Sequence, residues 1–154
     1  MGRIYRATAA NTAQTASIDI FEINVAATKA VRLLEVHISQ ATEIGDAAEE
    51  MLLVSVKEGA SSSGSGGATP TAVPKAKGDA AFAGTIETHN TTLSSTGTIV
   101  THLAINWNIR VPLDLIFTPE TVIELPPSAR LVVTISAPAD STTFGGYIVF
   151  EEIG

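Results

Sequence analysis

Ala129-Arg130-Leu131-Val132-Val133-Thr134-Ile135-Ser136-Ala137 is the stretch that decides the fold. Leu131, Val133 and Ile135 alternate with Val132, Thr134 and Ser136, and β-branched residues repeating with a period of two fit a pleated strand rather than a helix. Its composition is that of a central strand. Downstream, Asp140 to Gly146 reads as a turn region, and Tyr147 to Ile153 closes the chain as a final strand. Upstream, Val122 to Leu125 forms a short strand ahead of Pro126-Pro127, and Leu113 to Phe117 forms another between Pro112 and Pro119. Ile99 to Val111, with Val100, Leu103, Ile105, Trp107 and Ile109 among polar partners, holds one or two strands. Asp79 to Thr88, anchored by Phe82 and Ile86, supplies an edge strand.

The same punctuation runs through the first half. Ile18 to Val25 shows two alternating runs that slip by one position at Ile20-Phe21, as a strand with a bulge does. Val31 to Ile38 puts Leu34, Val36 and Ile38 on one face and Glu35 and His37 on the other. Leu52, Val54 and Val56 alternate with Leu53, Ser55 and Lys57 in a third strand that ends at Gly59. Between them, Gln40 to Glu50 is expected to be a connection with room for one short helix, since Gly45-Asp46 favours a loop.

The total is eight or nine short antiparallel strands with no amphipathic helix of three turns. This predicts an all-β, single-domain β-sandwich of jelly-roll type over residues 16–154, preceded by an extended N-terminal arm over residues 1–15. No internal repeat is visible.

Gly59 to Lys77 interrupts the strands with Ser61, Ser62, Ser63, Gly64, Ser65, Gly66 and Gly67, followed by Pro70 and Pro74. Glycine and serine lose much entropy on ordering and bury little, so this segment is either a linker or a loop held by groups outside its own backbone.

A chain of 154 residues is about one domain, able to bury a core of ordinary size. It contains no cysteine, which removes disulfides and thiolate zinc sites. A net charge of −7 and a charged fraction of 16 % oppose a nucleic-acid binder, which needs clustered lysine and arginine. No apolar run approaches the length of a membrane helix, and no signal-peptide core follows Met1-Gly2-Arg3-Ile4-Tyr5-Arg6, so the expectation is a soluble protein made in the cytoplasm. Met1-Gly2 resembles a myristoylation start, but Ala7 and Thr8 are the wrong continuation. With 45 % hydrophobic residues and so little charge, the surface is expected to be partly covered in an oligomer or assembled particle.

Catalytic and metal chemistry find little support. His37, His89 and His102 lack the close spacing of local metal motifs. Glu43, Asp46, Glu49 and Glu50 lack the alternation of a calcium loop and read as a solvated acidic turn. Ser63-Gly64-Ser65-Gly66-Gly67 imitates a nucleophile elbow, but no helix follows it and no Gly-Lys-Ser ending makes it a phosphate loop. No enzyme activity and no cofactor are expected. Asn90-Thr91-Thr92 satisfies a glycosylation sequon, yet without a signal peptide it reads as a turn cap. Trp107, flanked by Asn106 and Asn108, reads as a core anchor whose indole nitrogen finds one acceptor, with stacking on a sugar as the other use.

Several distinct blocks follow one another in order along the chain. They are Tyr5-Arg6-Ala7-Thr8, Val31-Arg32-Leu33-Leu34, Gly45-Asp46-Ala47 with Glu49-Glu50 and Leu52, and Ser63-Gly64-Ser65-Gly66-Gly67 with Pro70 and Pro74. Asp79-Ala80-Ala81, Asn90-Thr91-Thr92 and Ala137-Pro138-Ala139-Asp140-Ser141 follow, before the Glu151-Glu152 strand. As an ordered set they resemble the head decoration, or cement, proteins of tailed bacteriophages. That resemblance implies a virion protein forming a homotrimer on the outer capsid surface, clamping neighbouring major capsid proteins and carrying no catalytic residues. The expected partner contacts are Arg3, Tyr5 and Arg6 of the arm and Ser63, Gly64, Gly66, Pro70 and Pro74 of the loop. The alternative is a head-fibre or tail-associated adhesin that binds host carbohydrate through Trp107 and polar loops. A cupin-like enzyme would need clustered histidines.

Overall fold

A computed structural model of the chain describes residues 2–42 and 50–154. The expected Gln40–Glu50 connection, its helical turn and the acidic Glu43, Asp46 and Glu49 therefore fall largely outside the described residues.

Among the described residues all regular structure is strand: β1 (Arg3–Gln14), β2 (Ile18–Asn24), β3 (Ala30–Gln40), β4 (Met51–Ser62), β5 (Val73–Pro74), β6 (Thr85–Glu87), β7 (Ser95–Asn108), β8 (Leu113–Ile116), β9 (Ile123–Leu125), β10 (Arg130–Ile135) and β11 (Thr142–Ile153). Two antiparallel sheets result. Sheet A has the order β5-β1-β11-β3-β8, with β9 also on β3, and sheet B the order β6-β2-β10-β4-β7. They enclose one core built on Tyr5, Phe21, Leu33, Leu131, Phe144 and Phe150. The chain is an all-β sandwich. Within each sheet, strands from the first half (β1 and β3, or β2 and β4) alternate with strands from the second (β11 and β8, or β10 and β7).

The deciding stretch becomes β10, the middle strand of sheet B, and Leu131 through Ile135 are buried on both of its faces. The slip in β2 is real. Val133 pairs with Phe21 and Thr134 with Asp19, leaving Ile20 as the extra residue. Ile18, Ile20, Phe21 and Ile23 thereby all reach the core, while Asp19 and Glu22 share the opposite side.

Three boundaries differ from expectation. In β3 the pairing slips between Glu35 and Leu33, so Leu33, not Leu34, enters the core. Gly59 does not end β4. It adopts φ +97° in a bulge, where a Cβ would lie 2.1 Å from the Thr98 carbonyl oxygen, and pairing resumes to Ser62. Most of the supposed Asp140–Gly146 turn belongs to β11, with Thr142 and Phe144 fully buried.

The strands beyond the expected number are β5 and β1, and β1 corrects the reading of residues 1–15 as an arm. It pairs with β11 from Arg3↔Glu152 to Gln14↔Thr142 and with β5 on its other side. Its inward residues are Tyr5, Ala7 and Ala9. Alanine has weak strand preference, so the period-two pattern was concealed in residues too small to announce it.

Candidate functional site

The outward face of sheet A carries an unusual row. Register aligns Thr8, Tyr147, His37 and Asp114 across four strands. The His37 and Tyr147 rings stack with centroids 5.0 Å apart and planes 9° from parallel, and the Arg6 guanidinium lies 4.8 Å from the Tyr147 ring centre. His37 Nδ1 is 2.5 Å from Asp114 Oδ1. The Tyr147 hydroxyl donates to Glu35 Oε1 at 2.6 Å, and that bond, followed by burial, raises the phenol above its ordinary pKa. The row is therefore locked in place by its own contacts.

Beside it the face dips into a groove of about 770 Å³. One wall is Val73, Pro74 and Lys75, the other Ile116 and Phe117, and Ile4, Leu34 and Val149 contribute between them. Val73 is 62 % exposed and Ile116 73 %. Arg6 and Lys75 bring positive charge and Glu35 negative charge to the groove lining, and neither cation forms an ion pair among the described residues. An exposed apolar groove with arginine and tyrosine at its margin has the composition of a protein-binding surface.

The expected contact residues are divided by the fold. Arg6 and Pro74 line this groove. Arg3 is exposed at the start of β1. Tyr5 is corrected: its ring is fully buried against Phe82 and Phe150, and its hydroxyl donates to the Ala80 carbonyl at 2.9 Å. A side chain so enclosed cannot serve a partner. Ser63 and Gly66 are exposed and Pro70 is half-buried, but Gly64 is buried.

The glycine-serine loop is held by its own domain. Glu22 is fully buried, and its carboxylate accepts bonds from the Ser63 hydroxyl, the Gly64 N–H at 2.9 Å, Asn90 Nδ2 at 3.1 Å and the Ser94 hydroxyl at 2.6 Å. Arg130 Nε stands 2.9 Å from the same group. Burial works to raise Glu22, but the bonds from Ser63, Ser94 and Gly64 outweigh it, so its pKa lies below the ordinary value. Neighbouring Asp19 accepts from the Ser94 N–H and the Thr134 hydroxyl, yet burial prevails there and its pKa is raised. Further along, Ser65 bridges to Thr92 and Ala68 to Thr88. Gly67 passes so close to Thr88 that a Cβ would sit 2.0 Å from its carbonyl oxygen. Asn90, expected as a turn cap, is instead a buried donor to Glu22 and Glu87.

Trp107 is 3 % exposed and its indole N–H donates to the Val111 carbonyl at 2.6 Å. It is a core anchor and offers no face to a sugar. His89 is buried, with Nε2 3.0 Å from the Phe144 carbonyl; burial lowers its pKa against the pull of that bond. His102 lies 2.9 Å from Glu58 on the surface.

Sequence reasoning missed Val73, Lys75, Ile116 and Val149 as groove residues and Tyr147 as a member of the row beside the groove. The signal was the alternation of Tyr147 and Val149 with Ile148 and Phe150, which puts an aromatic and a valine outward on one strand. These observations define an all-β sandwich whose distinctive surface feature is an exposed apolar groove on sheet A. No family model matches the chain, and neither a curated protein nor a solved structure matches it.

Proposed function

We propose that this chain is a structural virion protein, a decoration or cement protein of a tailed-phage head, and that it docks the groove of sheet A onto neighbouring major capsid proteins at the outer capsid surface. The observation that carries this reading is the groove itself: Val73 and Ile116 left exposed on sheet A, with Arg6 and Lys75 beside them. Full burial of each such aliphatic side chain on a partner contributes about 1.5–3 kcal/mol. Arg6, already oriented over Tyr147, loses little freedom on binding. A contact of this size is modest once and strong when repeated by many copies on a symmetric shell. The interleaving of early and late strands in both sheets supports the jelly-roll form of the sandwich.

The test is cryo-electron microscopy of heads assembled with and without this chain. Density on the outer capsid with sheet A turned toward the capsid protein is the expected result. Heads lacking that density, or carrying it with the groove facing solvent, contradict the proposal.

A further inference from the structure

An open sheet edge presents unpaired N–H and C=O groups, and folded chains blunt such edges with short strands, proline, charge or a covering segment. Among the described residues, three of the four sheet edges are blunted. β5 has two residues, one of them Pro74; β6 has three; β8 and β9 have four and three and carry Asp114 and Glu124. The fourth edge, β7, runs for 14 residues without proline, lysine, arginine, aspartate or glutamate. No other described strand pairs with its outer side. Irregular pairing confines its straight part to Leu103–Asn108, in continuous register with Met51–Val56. Next to it, Met51 and Leu53 are 59 % and 44 % exposed.

We infer that β7 is a self-association site, where Leu103–Asn108 of one copy pairs antiparallel with the same segment of a second copy and joins two five-stranded sheets edge to edge. Charge selects this occupant. Each copy carries −7, so two copies repel wherever charged faces meet. A two-fold axis sets only the residue on the axis opposite its own image and each flanking residue opposite its counterpart across the axis, so a segment without ionisable groups brings no like charges together. Leu103–Asn108, Met51 and Leu53 contain no ionisable group. With the axis at Ile105, Leu103 lies opposite the second copy's Trp107, and Ala104 opposite its Asn106. The core-facing row then continues from one sandwich into the next.

This contact is independent of what the groove binds, and its two-fold symmetry departs from the three-fold assembly that the phage resemblance implies. Sedimentation of the full chain at tens of micromolar is expected to give twice the 16.0 kDa chain mass. Ala104→Lys with Asn106→Lys places lysine opposite lysine in both outward-facing pairs and is expected to yield monomers with an unchanged circular dichroism spectrum. Ala10→Lys with Thr12→Lys, on exposed β1 positions, is expected to leave the pair intact. A monomeric or trimeric unaltered chain, or a pair that survives the β7 lysines, overturns the inference. If those lysines prevent folding, hydrogen exchange of the unaltered chain decides: protection of the 103–108 amides must fall on dilution, and exchange insensitive to dilution overturns it.

Discussion

Glu22 and His89 show how single buried groups hold distant segments of this chain together. Glu22 ties Ser63, Gly64, Asn90, Ser94 and Arg130 to β2. Replacing it with glutamine leaves Arg130 without its buried counter-charge, and breaking such a pair costs about 3 kcal/mol. Urea unfolding of Glu22→Gln should show that loss, together with new protease cleavage within residues 61–67; an unchanged midpoint contradicts the clamp. Acid acts on the same groups. His89 has a lowered pKa, so as pH falls through the ordinary imidazole value the unfolded chain binds the proton first and stability declines. The contribution of Glu22 is present above the unfolded carboxyl value and is lost as pH falls through its lowered folded pKa. Asp19, with a raised pKa, takes up its proton first in the folded state and offsets part of that loss. Unfolding midpoints between neutral and mildly acidic pH should therefore fall, and His89→Asn should flatten this first step; an equal slope in the variant refutes the assignment. The slip at Ile20-Phe21 was legible because alternation breaks there, and it places Asp19 and Glu22 together. What covers them was not, since Ser63, Asn90 and Ser94 arrive from far along the chain.

At the scale of elements, β10 and β2 were readable because bulky β-branched residues mark their inward faces, whereas β1 hides its pattern in alanine. β5 was hidden for another reason: two residues, one a proline, become a strand only by pairing with Tyr5 and Arg6. As β1 lies between β5 and β11, removing residues 2–14 strips a partner from both and exposes the core around Phe150. The truncated chain should show no cooperative thermal transition; a cooperative transition near the original midpoint would restore the free-arm reading. Gly59→Ala tests the β4 bulge. A non-glycine residue forced to φ +97° and against the Thr98 carbonyl should cost more than about 1 kcal/mol, and a neutral substitution would mean that the bulge is not required.

Taken as a whole molecule, the sandwich has two faces of different character: the β2 side of sheet B is covered by the Glu22-held loop while Met51 and Leu53 of β4 stay exposed, and sheet A carries an open apolar groove lined also by Arg6, Lys75 and Glu35. Composition, through high hydrophobic content and low charge, raised the expectation of a partly covered surface, and alternation pointed to two sheets. It could not say which face stays open, because that depends on where residues 61–94 fold back. The most direct test of the proposed docking face is occupancy on purified heads of a chain carrying Arg6→Glu and Ile116→Asp, both at exposed positions. Binding should weaken at least about tenfold, equivalent to about 1.4 kcal/mol, with the unfolding midpoint unchanged. Full occupancy by this folded variant would show that the groove of sheet A is not what holds the chain to the capsid.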